Sequence, residues 1–171
     1  MPHSILDIVA GTPFWVWLVL VLCVALGLSS SRPRTVSVRR LLVRPLALFA
    51  VSAYVLFAGG SAGHLAVAVW VLAVAAGASL AFLRARQLPV HPVEDAPGKV
   101  AIGGDLLPLV AVLALFVIDY GFGVLSSLDP ALTARPEVPT MHAALGGLFG
   151  GLFVGRGLTL FWRAQPLAQA A

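Results

Sequence analysis

Five apolar stretches, at residues 13–30, 41–58, 65–84, 105–126 and 141–162, make up most of this chain, and nearly all its charge falls between them. Each is close to the roughly 20 residues that an α-helix needs to cross about 30 Å of hydrocarbon. In lipid, backbone polar groups must be satisfied internally, so only helices and closed barrels can span. The ten-residue alternation of a barrel strand is absent, which leaves helices. The pattern therefore predicts an all-α membrane protein, a bundle of five transmembrane helices in one domain over residues 1–171. Composition agrees: 60% of the 171 residues are hydrophobic and 11% charged, against about 45–50% and about 25% in a soluble domain. A water-soluble globule and a disordered chain are both excluded.

Local signals mark the helix ends. Thr12 before Pro13, Asp105 before Pro108, and Thr140 are expected caps, and Gly59-Gly60 is an expected stop. The first twelve residues hold Asp7 and no Lys or Arg. A retained anchor is thus expected in place of a cleaved signal peptide.

Five crossings put the two termini on opposite sides, and charge selects which. Of the 11 Lys and Arg residues, Arg32, Arg34, Arg39, Arg40, Arg44, Arg84, Arg86, Lys99, Arg156 and Arg163 fall on one side and only Arg135 on the other. The positive-inside rule then predicts the amino terminus outside and the carboxyl terminus in the cytoplasm, as for a multi-pass protein of a bacterial inner membrane. Arg40, Arg44 and Arg156 are expected basic anchors at the inner face. Arg40 and Arg44 are four residues apart, and so share a helix face toward lipid headgroups. The formal charge of +4 lies in the loops and forms no stripe, so nucleic acid is not an expected partner. In the inner loop 87–104, two β-prone runs flank a Pro-Gly turn and predict a small hairpin. The outer loop SLDPALTARPEVP has room for a short interfacial helix, and the tail after residue 163 is expected to fray.

Polar groups within the apolar runs need a reason to be there, because an ionised side chain at the bilayer centre costs about 2.5–3.5 kcal/mol on insertion scales. Asp119 lies eight residues before Ser127, about 12 Å below the outer boundary. Ser52, Tyr54 and Trp70 fall at similar depth and complete a candidate intramembrane polar site. It is read either as a proton or cation site or as a hydrogen-bonded group that fixes helix packing. Arg156 lies fifteen residues into the last helix, close enough to the inner face for its stem to snorkel. His64 and His142 stand at outer helix ends and form a weak candidate pair for haem, quinone or metal binding. Cys23 reads as a small buried apolar residue.

Gly147, Gly151 and Gly155 recur every four residues in the last helix, and Ala73, Gly77, Ala81 and Ala85 make a complementary row in the third. Such rows let helices approach closely, within the bundle or between two copies. Phosphate-binding loops, nucleophile elbows and His-Glu-x-x-His or Cys-x-x-Cys motifs are absent. No catalytic residue, metal or cofactor is therefore expected.

The segments TPFWVWLVL, GLSSSRPRTVSVRRLLVRP, LRARQLPVHPVEDAPGKVAIGGDLLPL and FVGRGLTLFWR resemble an uncharacterised bacterial family of small inner-membrane proteins. Its layout is similar to that of the CcdC-like proteins linked to cytochrome c biogenesis, with Arg44-Pro45 and Arg156 in matching places. The resemblance implies architecture more than chemistry. The expected role is a non-enzymatic accessory or assembly partner in an envelope complex, held in the lipid bilayer and contacting a partner or a second copy through its glycine faces. The alternatives are a proton-coupled or ion-conducting oligomer using Asp119, and haem or quinone binding at the outer face.

Overall fold

The computed structural model describes residues 9–58, 63–93 and 98–169. The expected turns at residues 59–62 and 94–97 lie outside these described residues. The elements are α1 (Phe14–Ser31), β1 (Arg34–Ser37), α2 (Arg40–Ala58), α3 (His64–Ala85), β2 (Val90–Pro92), β3 (Lys99–Ile102), α4 (Leu107–Leu128), a short α5 (Pro130–Thr133) and α6 (Glu137–Gln169). Among the described residues, four helices are long and apolar enough to cross a membrane: α1, α3, α4 and the Glu137–Leu167 part of α6. The remaining long helix, α2, has 19 residues and contains Pro45.

The helix ends depart from expectation where tertiary contacts outweigh local signals. The last helix starts at Glu137 and continues through the tail that was expected to fray. Ala164 is fully buried there and Leu167 packs on the neighbouring core, so burial holds the final turns in place. Thr140 is consequently inside the helix, its hydroxyl donating to the Pro136 carbonyl at 2.6 Å, and is not a cap. Pro13 takes the cap position of α1 and has no polar side-chain atom with which to cap, while the Thr12 hydroxyl bonds Tyr120 across the bundle. Asp105 precedes its helix by two residues, and Oδ1 accepts from the Leu107 N–H at 3.1 Å.

The hairpin expected in the inner loop is present as β2 and β3, and a third strand joins it. In the order β1-β3-β2, Val36 stands opposite Val100, and Ile102 lies between Arg34 and Val90. Successive strand side chains point to opposite faces. One face therefore carries Val36, Val100, Ile102 and Val90 onto a core with Leu41, Ala85, Leu88, Leu160 and Ala164. The other face carries Thr35 and Ala101, with His91 exposed. Gly98 enters β3 at φ 77°, a left-handed conformation that only glycine adopts without strain. The sheet plugs one end of the bundle. Arg163 of α6 donates to the Ala85 and Leu88 carbonyls at 2.7 and 2.8 Å, tying α6 to the end of α3 and to the turn that leads into β2.

Helix α6 is the axis of the bundle and packs along α3 and α2, while α1 packs on α4. A Cβ at Gly147 would come within 2.6 Å of the Trp70 carbonyl oxygen, and one at Gly155 within 2.5 Å of that of Ala78. At Gly151 it would overlap the Val74 carbonyl. The glycine row thus brings α6 onto the backbone of α3, within a single chain. Gly157 lies against the Pro45 ring and the Leu41 carbonyl of α2. Phe153 of α6, with Ala111 and Val112 of α4, ties the α1–α4 pair to the other three helices at mid-height.

Candidate functional site

Two polar pairs link α4 to α6, one at each end. At the sheet end, Arg156 Nε donates to Asp105 Oδ2 at 3.1 Å, with Asp105 buried at 2% side-chain exposure and Arg156 largely covered at 11%. The Asp105 N–H also donates to the Ser30 carbonyl at 3.2 Å, which holds the end of α1 against the start of α4. Arg156, expected to snorkel toward the inner face, instead faces inward as half of an ion pair. Ionised groups removed from water persist only when paired and hydrogen-bonded, and Asp105 meets both conditions. Arg40 is exposed at the start of α2; the Arg44 side chain lies outside the described part of the structure.

At the opposite end the two halves of the bundle diverge and enclose a cavity of about 1120 Å³. Its walls come from α1, α2, α3, α4 and α6 and include Trp15, Val19, Leu48, Val112 and Phe116. Three hydrogen-bonded groups are set into this apolar lining. Asp119 Oδ1 and His142 Nε2 are 2.8 Å apart, with 50% and 26% of their side chains exposed. The His142 ring lies against Phe122, 4.3 Å between centroids. The Thr12 and Tyr120 hydroxyl oxygens are 2.7 Å apart. Trp70 Nε1 donates to Ser52 Oγ at 3.3 Å, and that hydroxyl donates to the Gly146 carbonyl at 3.0 Å.

Of the polar site expected from sequence, Asp119, Ser52 and Trp70 line the same cavity, and Ser52 and Trp70 bond each other. Tyr54 does not join them: it lies on the outer surface of α2, 72% exposed. The partner of Asp119 is His142, a pairing that helix depth alone did not indicate. His64 is exposed at the start of α3 and does not line the cavity, so the structure does not assemble His64 and His142 into one site. Among the described residues no group of three or more His, Cys, Asp or Glu side chains is placed to hold a metal ion. The contributions of Thr12 and Tyr120 went unrecognised from sequence. One was read as a cap, and the other neighbours Asp119 in the chain, the only signal that could have found it.

A family model described as a family of unknown function, DUF6622, matches residues 1–171. No curated protein and no solved structure matches the chain.

Proposed function

The chain belongs to the DUF6622 family, whose members have no assigned function, and from that premise we propose that it is a five-span membrane protein that binds an amphipathic small molecule in the cleft between α1–α4 and α2–α3–α6. The observation that carries this reading is the set of three hydrogen-bonded polar groups within a mostly apolar cavity of about 1120 Å³. That combination is the usual make-up of a ligand site, in which apolar walls supply affinity and a few polar groups fix orientation. Helix α2 is the fifth span: it has 19 residues, and its charged side chains, Arg40 and Arg44, lie near its start. Arg32, Arg34, Arg39, Arg40, Arg84, Arg86, Lys99 and Arg163 cluster by sequence position around the sheet end, while Arg135 belongs to the other. By the positive-inside rule the sheet is cytoplasmic and the cleft opens toward the outer face of an inner membrane.

Binding is favoured over conduction because the polar groups do not continue through the bundle. Asp119 lies fourteen positions after Asp105, about 21 Å along the helix direction, and Ala111, Val112 and Phe153 pack between them. Binding is favoured over catalysis because the Thr12, Tyr120 and Ser52 hydroxyls bond to one another or to backbone, and no hydroxyl is hydrogen-bonded to His142 as a nucleophile would be among the described residues. An accessory role in a larger complex is compatible with such a site, but its partner would have to use a surface other than Gly147, Gly151 and Gly155.

The test is photocrosslinking in nanodiscs with a diazirine-bearing dodecanol, followed by peptide mapping. Labels should concentrate on α1 and α4 residues of the cleft and disappear in Gly123→Phe. Gly123 borders the cavity, and a Cβ there meets nothing within 4 Å. Labelling spread evenly over lipid-facing surfaces, and indifferent to that variant, would remove the proposal.

A further inference from the structure

The chemistry of the cleft walls specifies the head of the molecule it holds. We propose that the ligand is a lipid-tailed quinone or quinol whose ring lies among the cleft aromatics with one oxygen on His142; this deepens the cleft reading and rests on it. Charge excludes the most abundant alternative. Among the described residues no Lys or Arg lines the cavity, and Asp119 does, so a phosphate or carboxylate head would lie beside a carboxylate with none of these cations to pair it. A cationic head is disfavoured as well, because it would have to share the Asp119 carboxylate with His142, which already lies 2.8 Å from Oδ1. A neutral head remains.

The neutral head should be flat and carry oxygens on two edges. The Phe116 and Tyr120 rings lie parallel, 4° apart in plane, with 6.1 Å between centroids, and the His142 ring lies on Phe122. With Trp15 these rings give planar apolar surfaces of the kind on which a ring stacks. Asp119 occupies one nitrogen of His142 and leaves Nδ1 for a ligand. With Nε2–H donating to the Asp119 carboxylate, Nδ1 accepts from a quinol hydroxyl; with the proton on Asp119 and donated to Nε2, Nδ1–H donates to a quinone carbonyl. The Thr12–Tyr120 hydroxyl pair is a second polar patch on the cavity wall, one residue along α4 from Asp119. Its hydroxyls likewise donate or accept, and suit an oxygen on the far edge of the ring. Val19, Leu48 and Val112 provide the apolar surface for the tail.

The experiment competes the diazirine-bearing dodecanol, before irradiation, with three short-tailed compounds, decyl-ubiquinone, dodecanol and dodecyltrimethylammonium, on the full chain in nanodiscs. Decyl-ubiquinone should displace the label at about tenfold lower concentration than dodecanol, the effect of one or two well-made hydrogen bonds. His142→Phe retains the ring stacked on Phe122 but has no nitrogen; it should abolish that tenfold advantage, read as the ratio of the two competitors' concentrations within the same variant. Asp119→Asn, which loosens the imidazole without adding bulk, should reduce the advantage and serves if His142→Phe does not fold. Equal displacement by decyl-ubiquinone and dodecanol, an advantage that survives both variants, or stronger displacement by the ammonium would overturn the inference while the cleft stands. If dodecanol never labels the cleft, the cleft reading itself fails. In that case decyl-ubiquinone must quench Trp15 and Trp70 emission in the native chain, and not in His142→Phe, for the quinone site to survive.

Discussion

Replacing Gly155 by alanine should separate α6 from α3, and the structure gives the scale of the effect. A Cβ on Gly155 would lie 2.5, 2.6 and 2.9 Å from the Ala78 oxygen, Cα and carbonyl carbon. All three are backbone atoms, so no side chain can swing away. Reaching the roughly 3.5 Å at which carbon contacts turn favourable requires the helices to part by about 1 Å. A gap of 0.5–1 Å forfeits a quarter to a half of each dispersion contact it opens, so the approaches at Gly147 and Gly151 weaken together with the one at 155. Overpacking of this kind costs about 1–3 kcal/mol, with the upper end expected for a backbone clash. Against that, Gly→Ala within a helix is favourable by about 1 kcal/mol. The net expectation is about 2 kcal/mol of destabilisation. Gly121 provides the internal control: it is also mid-helix, but a Cβ there meets nothing within 4 Å, so Gly121→Ala should be neutral or stabilising by up to about 1 kcal/mol. Unfolding of both variants in mixed micelles by added dodecyl sulfate, followed by tryptophan emission, measures the difference directly. If the two variants fall within about 0.5 kcal/mol of each other, the inferred backbone approach of α6 to α3 is wrong.

Asp105→Ala should be among the most damaging single changes, destabilising by about 3–5 kcal/mol because it strands the buried Arg156 guanidinium; the double variant Asp105→Ala with Arg156→Met should recover much of the loss in the same unfolding assay. Ser52→Ala leaves Trp70 Nε1 without its acceptor and should cost about 1–2 kcal/mol, with a measurable change in Trp70 emission; an unchanged midpoint and spectrum would show that the bond contributes nothing. Single cysteines at Arg86 and Arg135, in a Cys23→Ser background, should be labelled by impermeant maleimide from opposite sides of oriented vesicles; labelling from one side only would refute the five-span topology. Gly98→Ala forces a Cβ into a left-handed backbone position and should weaken the sheet by about 1 kcal/mol, read as faster amide exchange in β1 and β3.

The membrane-protein class was legible in the sequence, because lipid dictates it through composition and segment length, both of which are one-dimensional. Four long helices came out within a few residues of their apolar runs, and the hairpin in 87–104 followed from β-branched residues around a turn. The ends of α6 did not. Burial of Ala164 and Leu167, which no local signal reveals, extended it past residue 162. Strand β1 was equally hidden: RTVS has no alternation long enough to declare itself, and it becomes a strand only because β3 offers an edge.

The candidate site divides in the same way. The apolar setting alone marked Asp119, Ser52 and Trp70 as groups in need of partners. Which partners they found depends on rotation about helix axes and on where two helices diverge, quantities fixed by packing between segments far apart in the chain. Thus Tyr54, two residues from Ser52, faces outward. His142, assigned to an outer helix end, meets Asp119, and Arg156 turns inward to Asp105. Sequence by itself determined the solvent this chain folds in, because burial in lipid sums over each segment independently. Only the tertiary structure decided that its polar groups gather around a cavity, because the direction a side chain faces is set by the neighbour it packs against.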